Sequence, residues 1–322
     1  MSYNETEVLN ASKALVAVRN LITDCNVLPD LPAYLNYEPL VTTRKADEEI
    51  DLDTGETKPI EQETETRDDR FIVYNRLTGK EINSIGSVAK PVNHEFFYNY
   101  CREALEKSDL DLTNARTTFH TDSLHANLYV KIVLPNVDFA KYIGDKSHLQ
   151  INILASHDGS SKRVISAEIH RLFCENGCTH ATEKLFQNQR QTKFSDIRML
   201  VNKLNSYPRF LETHAEQLAM LRTKKVTQDQ AFNLFKATLL KNIKFEDSKG
   251  KPKTPKAFTN LVRLWNKYEL DGDTAWRMYN VLTDYATHIE NENNAFPFRK
   301  FLGNRKQVAE VLVSKEYAKL VT

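Results

Sequence analysis

Apolar residues recur along this chain with two different periods, and the change from one to the other divides it. Residues 5 to 24 place Val8, Leu9, Leu15, Val16, Val18, Leu21 and Ile22 near helical spacing, so a first amphipathic helix is expected within an N-terminal helical arm, residues 1–42. From 43 to 70 large apolar residues nearly vanish while eleven acids accumulate, a composition that does not repay the entropy of ordering; this reads as an acidic linker. At Phe71 the period becomes two. Phe71 to Arg76, a turn through Thr78-Gly79, and Glu81 to Ile85 read as a β-hairpin. Helical spacing then returns in HEFFYNYCREALEKS, where Phe96, Phe97, Tyr100, Cys101, Ala104 and Leu105 share a face. Strands are expected at 115–122 and at 125–134, with Pro135 ending the second.

A further strand over Leu149 to Ala155, an Asp158-Gly159 turn and a long return strand from Lys162 to Cys174 predict a second hairpin. Beyond Gly177 the pattern is helical, with helices expected across 180–206, 208–222, 227–244, 256–268, 272–291 and 304–318. The lysine-rich KGKPKTPK at 249–256 interrupts them with two prolines. The pattern therefore predicts an α+β protein: an antiparallel, hairpin-rich N-terminal half, with a domain over 71–180, followed by a mainly helical domain over 181–322.

Composition adds two constraints. Hydrophobic content of 41% with 27% charged residues is that of a globular chain, and no apolar run reaches the length of a membrane span. Glu5 and Glu7 stand where a secretory signal carries Lys or Arg, so a cytoplasmic protein without a membrane partner is expected. Four cysteines, Cys25, Cys101, Cys174 and Cys178, do not suggest a disulfide framework.

Charge is divided unevenly. Residues 1–70 hold 16 acidic and 7 basic residues, net −9, leaving 27 acidic and 37 basic residues, net +10, for the remainder. A basic body suits nucleic acid, since neutralising phosphates releases counterions. Candidate phosphate contacts are Lys162, Arg163 and Arg171 around the second hairpin, Lys249, Lys251, Lys253 and Lys256 in the proline-broken loop, and Arg299, Lys300, Arg305 and Lys306 near the end. Aromatics interleaved with basic residues, as in HEFFYNYC, WNKY and AWRMY, are the type on which bases stack, although helical spacing also places them in a core.

Two constellations suggest other chemistry. His170, Cys174, Cys178 and His180 carry N and S ligands that zinc accepts, but H-x3-C-x3-C-x-H is not the usual knuckle spacing. On a strand His170 and Cys174 stand roughly 13 Å apart, so a buried thiol with surface histidines is the expected arrangement. His157, Asp158 and His288 supply residue types for a metal-dependent hydrolase, against which the Asp-Gly turn is a sufficient explanation of the pair. No phosphate-cradling or nucleophile-elbow motif occurs, so an enzyme is the weaker class and no cofactor is expected.

The motifs S-H-D-G-S-S, R-L-F-C-E-N-G and D-T-A-W-R-M-Y-N-V-L-T-D-Y-A-T-H resemble, in the same order and over roughly residues 70 to 310, the phage/plasmid-like protein family, domain of unknown function 932. Its signature maps onto Ser156, His157, Asp158, Gly159, Ser160, Arg171, Cys174, Asn176, Trp276, Tyr279, Asn280, Thr283, Tyr285 and His288. The resemblance implies a phage or mobile-element origin and leaves activity open. Taken with the charge, the leading expectation is a homo-oligomeric protein binding single-stranded DNA in recombination or replication, of annealing type. The alternatives are an anti-defence protein that binds and neutralises a host protein complex, and a metal-dependent nuclease.

Overall fold

The computed structural model describes residues 19–23, 27–35, 40–42, 48–50, 57–59, 70–75, 79–86, 92–122, 124–144, 147–171, 183–188, 196–246, 248–287 and 297–322. Its centre is a six-stranded antiparallel sheet in the order β1 (Arg19–Thr23), β7 (Ala115–Thr121), β8 (Asn127–Asp138), β9 (Ser147–Ser156), β10 (Arg163–Arg171) and β11 (Glu183–Asn188). From β7 to β11 each strand pairs with its sequence neighbour. A second sheet joins β2 (Leu40–Thr42) to the hairpin of β5 (Arg70–Tyr74) and β6 (Glu81–Gly86), and β3 (Glu48–Ile50) pairs separately with β4 (Thr57–Pro59).

Alternation along the central strands gives the large sheet two unlike faces. Phe119, Leu128, Val130, Ile132, Leu134, Leu149, Ile151, Ile153, Ile165, Ala167 and Ile169 form an apolar inner face. Helix α1 (His94–Glu106) and helix α3 (Ile197–Met220) cover it with Phe97, Tyr98, Cys101, Leu200, Leu204, Tyr207 and Leu211. A short helix α2 (Ala140–Ile143) lies between β8 and β9. The same apolar cluster continues into α4 (Gln228–Ala237), α5 (Lys256–Lys267), α6 (Ala275–Thr287), α7 (Phe298–Leu312) and α8 (Lys315–Val321). The α+β architecture matches the reading of the pattern. No helix among the described residues is long and apolar enough to cross a membrane.

Four local expectations are corrected. Arg19–Thr23, read as the end of a first helix, is a strand, because β7 offers it an open edge in the register Leu21↔Thr117. The acidic stretch 43–70 contains the β3–β4 pair. Glu183–Asn188, read as helical, extends the sheet beyond β10. Finally α3 starts only at Ile197, where the Asp196 side chain caps the Arg198 N–H, and then runs unbroken through Pro208. Proline removes one ladder bond and costs about 3 kcal/mol in a helix interior. Burial of Leu200, Leu204, Tyr207, Leu211, Ala215 and Leu218 along one face offsets it, at roughly 1.5–3 kcal/mol for each large side chain.

The signature tryptophan helix is almost wholly interior. Trp276, Tyr279, Asn280 and Thr283 on α6 are all buried, and the Asn280 amide donates to Asp271 Oδ2 at 2.6 Å. Arg277 donates to the Trp265 carbonyl and lies 4.3 Å from the centre of that indole ring. These residues of the motif hold helices together.

Candidate functional site

The Asp158-Gly159 turn between β9 and β10 is built as the sequence suggests, and it is more heavily bonded than a plain turn requires. Gly159 sits at φ +76°, open to glycine without strain. Asp158 Oδ1 accepts from Ser156 Oγ at 2.6 Å and from the Ser160 N–H at 2.8 Å, while Oδ2 accepts from Asn127 Nδ2 at 2.9 Å. Asn83 on β6 donates to the Asp158 carbonyl at 2.7 Å, tying the small sheet to the large one. Burial pushes the Asp158 carboxyl up, but the bonds from Ser156, Ser160 and Asn127 outweigh it and hold it below the usual range. With its lone pairs so committed, Asp158 is a poor proton acceptor.

Asn127 is the hub. Its amide also donates to Asp122 Oδ2 at 2.6 Å, and its carbonyl oxygen accepts from Ser160 Oγ. Asp122, mostly buried and facing Asp158, has its carboxyl shifted upward by that burial. Behind the turn, His157 stacks on His94, the first residue of α1, with ring centres 3.9 Å apart. The His94 Nε2 lies 3.3 Å from the His125 carbonyl. Burial lowers His94 from 6.5 to about 4 and holds His157 well below its ordinary value, with Arg163 adding like charge to both. The pair is therefore neutral at pH 7 and its contacts are those of a clasp between α1 and the turn.

The outer face of the large sheet holds a second polar cluster. Gln150 Nε2 donates to Glu168 Oε1 at 2.5 Å and to Asn152 Oδ1 at 2.7 Å, and the Tyr129 hydroxyl donates to the same Asn152 oxygen. Helix α7 closes over it: Arg305 pairs with Glu168 at 2.7 Å, and Phe298 and Phe301 pack on Tyr129, which stacks on His120. Glu168 is fully buried, and Arg305 is its ion-pair partner.

The eleven expected phosphate contacts are therefore not one surface. Arg163 is buried beside the histidine clasp, and Arg305 is spent on Glu168; both belong inside rather than on a phosphate-facing surface. Lys162, Lys249, Lys251, Lys253, Lys256, Arg299, Lys300 and Lys306 are exposed. His170 and Arg171 end β10. Cys174, Asn176, Cys178, His180 and His288 lie outside the described residues, and with them most of the zinc constellation and one member of the hydrolase set. Among the described residues no group of three or more His, Cys, Asp and Glu side chains is arranged to hold a metal ion.

Within residues 241–256 the exposed lysines sit on a built loop. Glu246 bridges Pro252, the Lys253 N–H donates to the Phe245 carbonyl at 2.7 Å, and Gly250 turns the tip at φ +73°. Lys241, Lys244, Lys249, Lys251, Lys253 and Lys256 are all exposed on it. At its base Phe245 and Phe258 meet edge to face, with the Lys236 ammonium over both rings.

Residues 113–314 match the family described as Domain of unknown function (DUF932). The chain belongs to that family. The match begins after the β5–β6 hairpin and α1, later than the likeness read from the sequence, yet the DUF932 span takes in both the Asp158 turn and the α6 motif. No curated protein and no solved structure matches the chain. Two residues central to the DUF932 turn, His94 and Asn127, were not among the candidates read from sequence. Asn127 opens a strand directly after the Asp122 turn, which is a usable signal; His94 reaches the site only through the packing of α1, which spacing does not reveal.

Proposed function

We propose that this DUF932 chain is a nucleic-acid-binding protein of phage or plasmid origin that handles single-stranded DNA in recombination or replication. The observation that carries this reading is the lysine loop: six exposed lysines within residues 241–256 against two acids, on a closed turn set over half-buried Phe245 and Phe258. Such a protrusion follows a phosphate backbone without reading sequence. The bonded Asp158 turn and the interior α6 motif support a scaffolding role for the family signature, leaving recognition to the surface.

The test is fluorescence anisotropy of a labelled oligothymidylate titrated with the full chain at several salt concentrations. Each phosphate neutralised on a single strand adds about 0.7 to the steepness of log affinity against log salt. Contact through Lys249, Lys251, Lys253 and Lys256 predicts a slope near −3, and changing all four to alanine should flatten it by that amount. Absence of binding at low salt, or an unchanged slope in the quadruple variant, refutes the reading.

A further inference from the structure

Helix α5 leads from the lysine loop at one end to an acidic turn just beyond the other. Its N-terminus, the positive end of the dipole, begins at Lys256 beneath the lysine loop, and its N-cap, Pro255, supplies no side-chain acceptor. Its C-terminus, the negative end, runs into the 3₁₀ turn Glu269–Asp271 and then Asp273. Lys256 opposes the dipole at the N-terminus, whereas Lys267 in the last turn suits it, and the acids stand beyond the helix in the turn that follows. A helix of 12 residues holds the two ends about 18 Å apart.

The acidic end is also shaped. Leu270 is 97% exposed at the tip of the turn, with Glu269 and Asp273 exposed on either side. The tip is held firmly: the Asp271 N–H donates to the Tyr268 carbonyl, the Gly272 N–H to the Glu269 carbonyl, Thr274 Oγ1 to the Asp271 carbonyl, and Asn280 to the Asp271 carboxylate. A leucine presented on a rigid turn loses little freedom when it is covered. At the other end of α5 lies its complement in charge, the exposed lysines of the loop, with the Lys236 ammonium over the rings of Phe245 and Phe258.

We propose that copies of this chain associate head to tail, the acidic Leu270 tip of one seating in the lysine loop of the next. The two patches differ, so the contact is heterologous and propagates into a ring or a filament rather than closing as a two-fold dimer. It deepens the reading above and rests on it in one respect, that the loop faces anions: a neighbour's tip and a nucleic-acid strand compete for the same lysines.

The test is size-exclusion chromatography with light scattering on the full chain over a concentration series. At low salt the weight-average mass should rise with concentration above the 37.1 kDa of one chain, and it should return to that value as salt screens the pairing. Leu270→Ala and Glu269→Lys, both at exposed positions, should each hold the mass at that of one chain. Lys251→Glu should do the same alone, and an equimolar mixture of Lys251→Glu with Glu269→Lys should restore assembly, because each then supplies the charge the other lost. A wild-type chain that stays single at every concentration, a Leu270→Ala variant that assembles like wild type, or a mixture that fails to assemble overturns the proposal. Oligothymidylate binding by the wild-type chain is read separately: binding by a wild-type chain that never self-associates sinks only this inference, and self-association without binding sinks only the nucleic-acid reading.

Discussion

The histidine clasp should make stability fall steeply between pH 6.5 and 4. His94 is buried and stacked on His157, and its folded value near 4 lies below the 6.5 of the unfolded chain. The unfolded chain therefore takes up a proton first, and the stabilisation is complete above pH 6.5, declines as pH falls, and is fully lost below about 4. The shift is worth about 3 kcal/mol for His94 alone, at about 1.4 kcal/mol per pH unit. His120, lowered to about 4 by burial beside Lys131, and His157 add to the same slope. His157→Phe keeps a ring against His94 while removing one titrating group, and should cut the slope by up to about 1.4 kcal/mol per pH unit. Urea unfolding followed by the fluorescence of Trp265 and Trp276, both buried, measures it at half-unit intervals of pH. Asp158 does not confuse the window, because its stabilising ionisation is lost only as pH falls below 3.8. A wild-type stability that is flat from pH 6.5 to 4.5, or a His157→Phe slope equal to wild type, would refute the account.

Two further substitutions test the interior. Arg305→Ala leaves the Glu168 carboxylate buried with only Gln150 shown donating to it, and should cost roughly 3–5 kcal/mol by thermal or urea unfolding; Glu168→Gln combined with Arg305→Met should recover most of the loss. Gly159→Ala forces a side chain into the left-handed region at φ +76°, with its Cβ 3.4 Å from Asn83 Nδ2, and should lower stability by about 1–2 kcal/mol without unfolding the sheet.

Where the apolar period and the local turn chemistry agree, the fold was legible. The β5–β6 hairpin follows from Gly79, whose N–H closes on the Asn75 carbonyl at φ +67°, and α1 follows from its single apolar face. Pro135 was read as ending β8, yet the strand continues to Asp138 across a register shift after Leu134, a place where a sheet tolerates proline. The larger misreadings share one cause, tertiary partners far away in sequence. Arg19–Thr23 becomes a strand because β7 has a free edge, and Glu183–Asn188 because β10 does. Glu168 alternates with Ile165, Ala167 and Ile169 as a solvent-facing residue would, and only α7, more than a hundred residues later, turns that position into an interior one. The same closure removed Arg305 from the surface. The Asp-Gly turn was readable; the histidine packed behind it was not.

The pairing of β1 with β7 has a bearing on how the chain is made. Translation delivers Arg19–Thr23 some ninety residues before its partner exists, so β1 must wait while the rest of the acidic N-terminal segment and then α1 emerge. The strands from β7 onward face no such delay, since each follows its neighbour after at most 11 residues. The sheet is then completed backwards at that edge.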